Sequence, residues 1–231
     1  MRTLKVIARF LFVIGIPLVI FSAVVAIAFN TVAVYQYGFD KYNVGSELRI
    51  SEADLTHIAK DFIAYLNSSK EYLDTRAVIN GRETDVYNTD EVLHMKDVKG
   101  LVRLDYGVLL VSFLYTSLYC GLWLWRKAER RKLARSILAG SLVTLAVMLA
   151  LWIGSLINFN WLFLHFHYLA FSNNFWSAQG NMLKLFPDGF WYDIVLYCAI
   201  TMAVVSALAA VVSAVYLYRT GKGLLFYRLM A

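Results

Sequence analysis

Apolar residues fill three long blocks of the chain almost without charge, 7–29, 106–125 and 193–217, and a fourth block covers 136–158. Each block has about the 20 residues that a hydrocarbon core of about 30 Å demands of a helix. The pattern therefore predicts an all-α membrane protein with four transmembrane helices. The first block ends in Ala26-Ile27-Ala28, which resembles a signal-peptide cleavage site. It is longer than an h-region of roughly 7–15 residues, and its removal would leave an odd number of helices, so a retained helix is expected. The run from Leu133 to Phe171 is too long for one span. Splitting it into two would export the basic tail, so 159–192 is expected to be an interfacial or re-entrant loop. Trp161, Phe163, Tyr168 and Trp176 in that loop suit the headgroup zone, where amphipathic rings accumulate.

Between the first two blocks the period changes. Residues 30–105 read as a small folded α(+β) domain. In ISEADLTHIAKDFIAYL, Leu55, Ile58, Phe62, Ile63 and Leu66 recur at helical spacing, with Ser51 and Asp54 placed as a capping box. AVINGRETDVY sets Asn80-Gly81 between strand-like arms, a hairpin signal. In YNTDEVLHMKDVKGLV, Asn88 or Thr89 caps a helix whose early acids, Asp90 and Glu91, complement its dipole. That helix leads almost directly into the second span, and His94 and Asp97 share one of its faces.

Composition agrees with the pattern: 60% of the 231 residues are apolar, which excludes disorder and a soluble multi-domain enzyme. Charge then sets orientation. The segments before the first span, between the second and third, and after the fourth hold 12 of the 22 Lys/Arg and a single acid, Glu129. The other two loops, counted with Asp193 at the outer end of the fourth block, hold 10 basic and 15 acidic residues. Under the positive-inside rule both termini are cytoplasmic, and 30–105 and 159–192 face outward. The net charge of +6 is thus a topology signal, and no nucleic-acid partner is expected. Cys120 and Cys198 fall at different depths of their helices, so a disulfide is not expected.

All four histidines, His57, His94, His165 and His167, fall on the outer side, concentrating the neutral-pH proton carriers in one compartment. His94 stands just before the second span, and His165 and His167 just after the third, at matching membrane depth. His57, on the polar part of an amphipathic helix, reads as a solvated or packing residue. His165 and His167 face one way together if their segment is extended and diverge by about 200° if it is helical; one of the two then reads as structural. A zinc site of His94, His165 and His167 with Asp97 or Glu91 is one alternative, but HxH needs an extended backbone to converge and no HExxH helix is present. No G-x-S-x-G elbow and no Gly-rich phosphate loop occur, and Ser172 is the one hydroxyl adjacent to these histidines. Three classes stay open on residues alone: acyl transfer in which the substrate supplies the nucleophile, a non-catalytic membrane scaffold or sensor, and a metal-dependent membrane hydrolase.

Asn88–Lys99, NTDEVLHMKDVK, resembles the Glu-x-x-His-Met-x-Asp-Val signature of the lipoprotein intramolecular transacylase family of bacterial integral membrane proteins. Phe166–Trp176, FHYLAFSNNFW, resembles its second signature, in which a Phe-His pair precedes aromatics, an Asn and a Trp. Leu185-Phe186-Pro187 with Phe190-Trp191, and Tyr37-Gly38-Phe39 with Tyr42, also fit. Ala170 and Asn174 depart from the pattern, at positions where an aromatic and an acid are usual. The resemblance implies a cell-membrane acyltransferase whose site faces the extracytoplasmic side. It moves the sn-2 acyl chain of a diacylglyceryl lipoprotein to the α-amine of the N-terminal cysteine, giving the lyso form. It implies no cofactor, no metal and no acyl-enzyme, with a lipid-anchored lipoprotein and membrane lipids as partners. His94 and His167 are carried over as the catalytic pair, with Glu91, Asp97, Asn173, Asn174 and Trp176 in support. Asp97 is expected to orient the His94 ring, and Asn173 or Asn174 to donate to the oxyanion.

Overall fold

The computed structural model describes residues 2–126 and 129–230, with side chains over 3–126 and 129–221. Of the basic residues counted above, Lys127 lies outside the described residues, as do the side chains of Arg2, Lys222 and Arg228. The chain is 82% helical. Its elements are α1 (Arg2–Phe29), α2 (Val32–Lys41), α3 (Val44–Leu48), α4 (Glu52–Asn67), β1 (Arg76–Ile79), β2 (Arg82–Asp85), α5 (Thr89–Trp125), α6 (Arg130–Ala170), a 3-10 turn (Phe175–Ser177), α7 (Asn181–Leu185) and α8 (Asp188–Met230). Four helices are long and apolar enough to cross a membrane: α1, α5, α6 and α8. Only 11% of the apolar window of α5 is buried inside the protein, so most of that surface needs another apolar medium to cover it.

Two of these helices run on well past their apolar blocks. α5 has no break between the capped turn at Thr89 and Trp125, because the intervening sequence contains no proline and its glycines are tolerated at modest cost. His94 therefore rides on the same rigid rod as the apolar block 106–125. α6 is interrupted once, at Asn158, whose backbone leaves the helical region (φ −164°, ψ 92°). The Asn158 side chain then accepts from the backbone N–H of Trp161 at 2.9 Å, which caps a fresh helical stretch. The residues from Phe159 to Ala170, expected as part of a loop, are helix, and loop structure begins only beyond them.

The chain forms two compact units. One comprises 1–24, 106–153 and 199–231. Phe12 stacks on Tyr119 with ring centroids 4.2 Å apart, and Leu133 completes this buried cluster. Arg9 Nε donates to Ser136 Oγ at 3.0 Å, and the Tyr115 hydroxyl donates to the Ala8 carbonyl at 2.7 Å. Pro17, inside α1, has no N–H to offer the Val13 carbonyl four residues back. Gly140 of α6 packs against that carbonyl: a Cβ added there would lie 2.8 Å from Val13 O and 2.6 Å from Ile16 Cδ1.

The other unit comprises 25–105 and 154–198. Ser51 caps α4 by accepting from Asp54 N at 3.0 Å. β1 and β2 pair antiparallel with Ile79 opposite Arg82. Asn80 (φ 53°) and Gly81 (φ 76°) turn between them, as a two-residue hairpin requires. The core is aromatic. Phe186 lies 6.1 Å from Tyr35, 6.0 Å from Phe39 and 5.6 Å from Phe190. Gly38 leaves room for the Phe190 ring, on which any Cβ would fall. Asp193, 7% exposed, accepts from Lys41 Nζ at 2.6 Å, Tyr42 OH at 2.9 Å and Tyr37 OH at 3.2 Å, tying α2 to the start of α8. Cys120 and Cys198 are both free thiols.

The packing of Gly140 gives a stability prediction. Gly140→Ala forces α1 and α6 apart and is expected to cost about 1–3 kcal/mol, seen as a lowered thermal unfolding midpoint in detergent. Gly121→Ala, where nothing lies within 4 Å of the added Cβ, is the control and leaves the midpoint unchanged or slightly raised. Equal midpoints for the two variants contradict this packing.

Candidate active site

The site is built on the first two turns of α5. Asn88 caps the helix: its Oδ1 accepts from Glu91 N at 3.0 Å, and the Glu91 carboxylate returns the favour by accepting from Asn88 N at 2.8 Å. This is a reciprocal capping box with Asn88 in the serine position. Glu91 does more than cap. Its side chain is completely buried, and its second oxygen accepts from the backbone N–H of Met182 at 2.7 Å. Gly180 lies under the carboxylate, where a side chain would collide with it. Asn88 Nδ2 donates to the Gln179 carbonyl at 3.1 Å, and Asn181 Nδ2 to the Val86 carbonyl at 3.0 Å. Three hydrogen bonds thus clamp 179–182 onto the helix start. Glu91 thus clamps two backbone N–H groups, one from its own helix start and one from the distant segment.

One turn on, His94 is 7% exposed, and its Nδ1 is sealed from solvent without a hydrogen-bond partner. Burial lowers its pKa from the ordinary 6.5 to about 4, with the neighbouring His167 acting in the same direction and Asp97 opposing. His167 lies on the helical stretch after Asn158 and is 8% exposed. Its Nδ1 donates to the Phe163 carbonyl at 2.7 Å. A carbonyl only accepts, so the neutral ring carries its proton on Nδ1 and its lone pair on Nε2. Burial also lowers the His167 pKa, against the pull of the Phe163 hydrogen bond. Both rings lie outside the apolar blocks 106–125 and 136–158.

The two rings meet: their centroids are 6.1 Å apart. Phe171 stands edge-on to His94 at 5.0 Å and packs on His167 at 5.6 Å. Phe163 and Trp176 flank His167 at 4.4 and 5.2 Å. The Trp176 Nε1 is sealed from solvent and has no acceptor. The pair therefore occupies an aromatic pocket in which two neutral imidazoles are the favoured state.

His165 and His167 diverge, because their segment is helical. His165 is exposed, stacks on Trp161 at 3.9 Å and hydrogen-bonds the Trp161 carbonyl through Nδ1. His57 pairs with Asp61 at 3.4 Å on the exposed face of α4. The ligand set of His94, His165, His167 and Asp97 or Glu91 is not assembled, and no group of three or more His, Cys, Asp or Glu placed to hold a metal occurs among the described residues. One supporting role is corrected. Asp97 does not hydrogen-bond the His94 ring; its Oδ2 accepts from Asn173 Nδ2 at 2.8 Å. Asn173 is therefore engaged, its Oδ1 accepting from Phe175 N at 3.0 Å, and Asn174 is exposed with no side-chain cap bond. One N–H of the Asn173 amide is thereby committed to Asp97. Ser172 is exposed as well. Phe163 and Phe171, which wall the pocket, were not singled out as site residues by sequence; each stands four residues from His167, on either side of it, and that spacing is the signal that points to them.

Comparison with known proteins gives one concordant answer. The family profile described as lipoprotein intramolecular transacylase Lit matches residues 10–191. A structure of the membrane integral lipoprotein intramolecular transacylase Lit from Bacillus cereus superposes with a TM-score of 0.81 at 19% identity, covering 96% of this chain and 99% of that one. Structures of the same Bacillus cereus protein carrying a histidine-to-arginine or a histidine-to-alanine substitution give TM-scores of 0.74, also at 19% identity. They cover 95% of this chain and 94% and 96% of their own. No curated protein matches.

The burial of His94 has a measurable consequence. The unfolded chain takes up its proton near pH 6.5 and the folded chain near 4. Between these values the unfolded state binds more protons, so this residue's contribution makes stability fall as pH falls through that window. In protein with 15N-labelled histidine, the His94 signal is expected to stay neutral on acidification from pH 7 to about 5. A titration midpoint at or above the ordinary value contradicts the buried site.

Proposed function

The chain belongs to the lipoprotein intramolecular transacylase family, a family of acyltransferases, and from that premise we propose that it converts diacylglyceryl lipoprotein to the lyso form with His94 and His167 as the acid–base pair. The substrate is a lipoprotein whose N-terminal cysteine carries a thioether-linked diacylglyceryl group and a free α-amine. The sn-2 acyl chain moves to that amine. One observation carries the assignment of roles: two buried imidazoles from different helices sit 6.1 Å apart in an aromatic pocket.

The chemistry suits these groups. Nucleophile and ester belong to one molecule, so the protein's main task is to hold them in attacking geometry, a contribution of roughly 7–11 kcal/mol. The α-amine nitrogen attacks the sn-2 ester carbon, and a C–N bond forms. His167, with Nδ1–H committed to Phe163, accepts the amine proton at Nε2. The tetrahedral intermediate collapses, the ester C–O bond breaks, and the proton passes to the departing glycerol oxygen. His94, kept neutral by burial, lies beside this path as a proton donor or relay. The products are an amide and a free sn-2 hydroxyl, with no net proton gained or lost. No enzyme nucleophile takes part, consistent with the exposed position of Ser172.

The proposed setting is the bacterial cell membrane, with both termini cytoplasmic and 30–105 and 159–192 outside. The bias of 12 Lys/Arg against one acid on the three inner segments supports it. The ester of a lipid-anchored substrate lies at the headgroup boundary, so a site there need not lift acyl chains into water.

Mass spectrometry of the N-terminal peptide of a reporter lipoprotein tests the reading. His94→Ala and His167→Ala are expected to lower conversion by at least roughly 100-fold while the protein stays folded. His57→Ala and His165→Ala retain most of it. Conversion near the wild-type level in either of the first two variants refutes the assignment.

A further inference from the structure

Acyl transfer generates negative charge on the ester carbonyl oxygen, and a pocket closed to water must supply a donor for it. Asn173 Nδ2 already donates to Asp97, and Asn174 is exposed. The His167 Nδ1–H is spent on the Phe163 carbonyl. Three backbone donors of the loop are occupied: Phe175 N by Asn173 Oδ1, Ser177 N by the Asn174 carbonyl and Ala178 N by the Phe175 carbonyl. The indole of Trp176 is a donor in this pocket with no acceptor. Its ring lies 5.2 Å from the His167 ring and 5.3 Å from Tyr168. The ring is partly exposed, yet its Nε1 is sealed from solvent and has no acceptor.

A buried N–H without an acceptor is costly, and such groups call for an explanation. We infer that the Trp176 indole N–H is the catalytic hydrogen-bond donor that receives the ester carbonyl oxygen and holds it as it becomes an oxyanion. This inference rests on the transacylase reading above. It divides the labour within the pocket. His167 moves the proton, Trp176 stabilises the charge, and the Asn173–Asp97 hydrogen bond holds the loop that carries Trp176 against α5. The indole nitrogen is a donor only, so it cannot compete for the amine proton. Its charge-stabilising effect is felt mainly in the transition state, which places the loss in kcat and not in KM.

The test replaces Trp176 by 3-benzothienylalanine, in which sulfur stands for N–H and ring shape is kept, alongside the simpler Trp176→Phe. Both are assayed in nanodiscs on a diacylglyceryl lipopeptide. The isosteric variant is expected to lose roughly 100-fold in kcat, within the range for a single oxyanion donor, with KM nearly unchanged and an unaltered unfolding midpoint. A kcat equal to wild type in that variant, with His167→Ala inactive, overturns the donor role and leaves the proposed function standing. An active His167→Ala overturns the proposed function itself. If the isosteric variant keeps its rate and Trp176→Phe alone is slow, the ring only fills space and the inference fails.

Discussion

A fully buried carboxylate with no cation beside it must find hydrogen bonds or unfold its surroundings. Glu91 finds two, from Asn88 N and Met182 N, and the geometry of the site follows from them. One bond closes the first turn of α5. The other pins a segment distant in sequence to that same turn, with Gly180 shaved of its side chain to let it approach. Two turns further along α5, Asp97 holds Asn173. Between these two anchors lies His94, and the chain they tether carries Phe171 and Trp176. The pocket is thus defined by backbone satisfaction at one end and a side-chain amide at the other, with the reactive groups strung between.

The consequence is dryness. Phe163, Phe171 and Trp176 surround the imidazoles, and burial holds both pKa values down. Two rings this close cannot both carry charge, so the pair accommodates one transferred proton at a time. That is what the proposed amine-to-alkoxide transfer requires. In the proposed reaction, the same exclusion of water would protect the tetrahedral intermediate from hydrolysis, which releases fatty acid in place of the amide product.

Much of this was readable in the residues, and the reasons differ by level. Bilayer thickness sets a length that any apolar block declares directly, so four membrane-capable helices could be read off. Asn80-Gly81 and Ser51 specify their turn and cap by local chemistry alone, and the structure has both. The convergence of His94 and His167 was suggested by matching membrane depth and by family signature. Long-range polar partners were not readable. Asp97, one turn from His94, invites the reading that it orients that ring, yet a partner 76 residues away claims it. Asp193 was counted only as an outer acid, whereas it gathers Lys41, Tyr37 and Tyr42 from α2 and its end. The helix from Phe159 to Ala170 was hidden by its aromatic content, although Asn158 followed three residues later by a helical Trp161 carries the cap that restarts it.

The central claim is that the imidazoles of His94 and His167 share one pocket in the membrane-embedded protein. The most direct measurement places cysteines at both positions, His94→Cys with His167→Cys, in a background with Cys120 and Cys198 replaced by alanine. A short bifunctional thiol reagent is then applied in native membranes, and intramolecular bridging is read by mass spectrometry of the digested protein. The account predicts a bridged peptide pair in the double variant. Modification of both thiols singly, with no bridge, contradicts it.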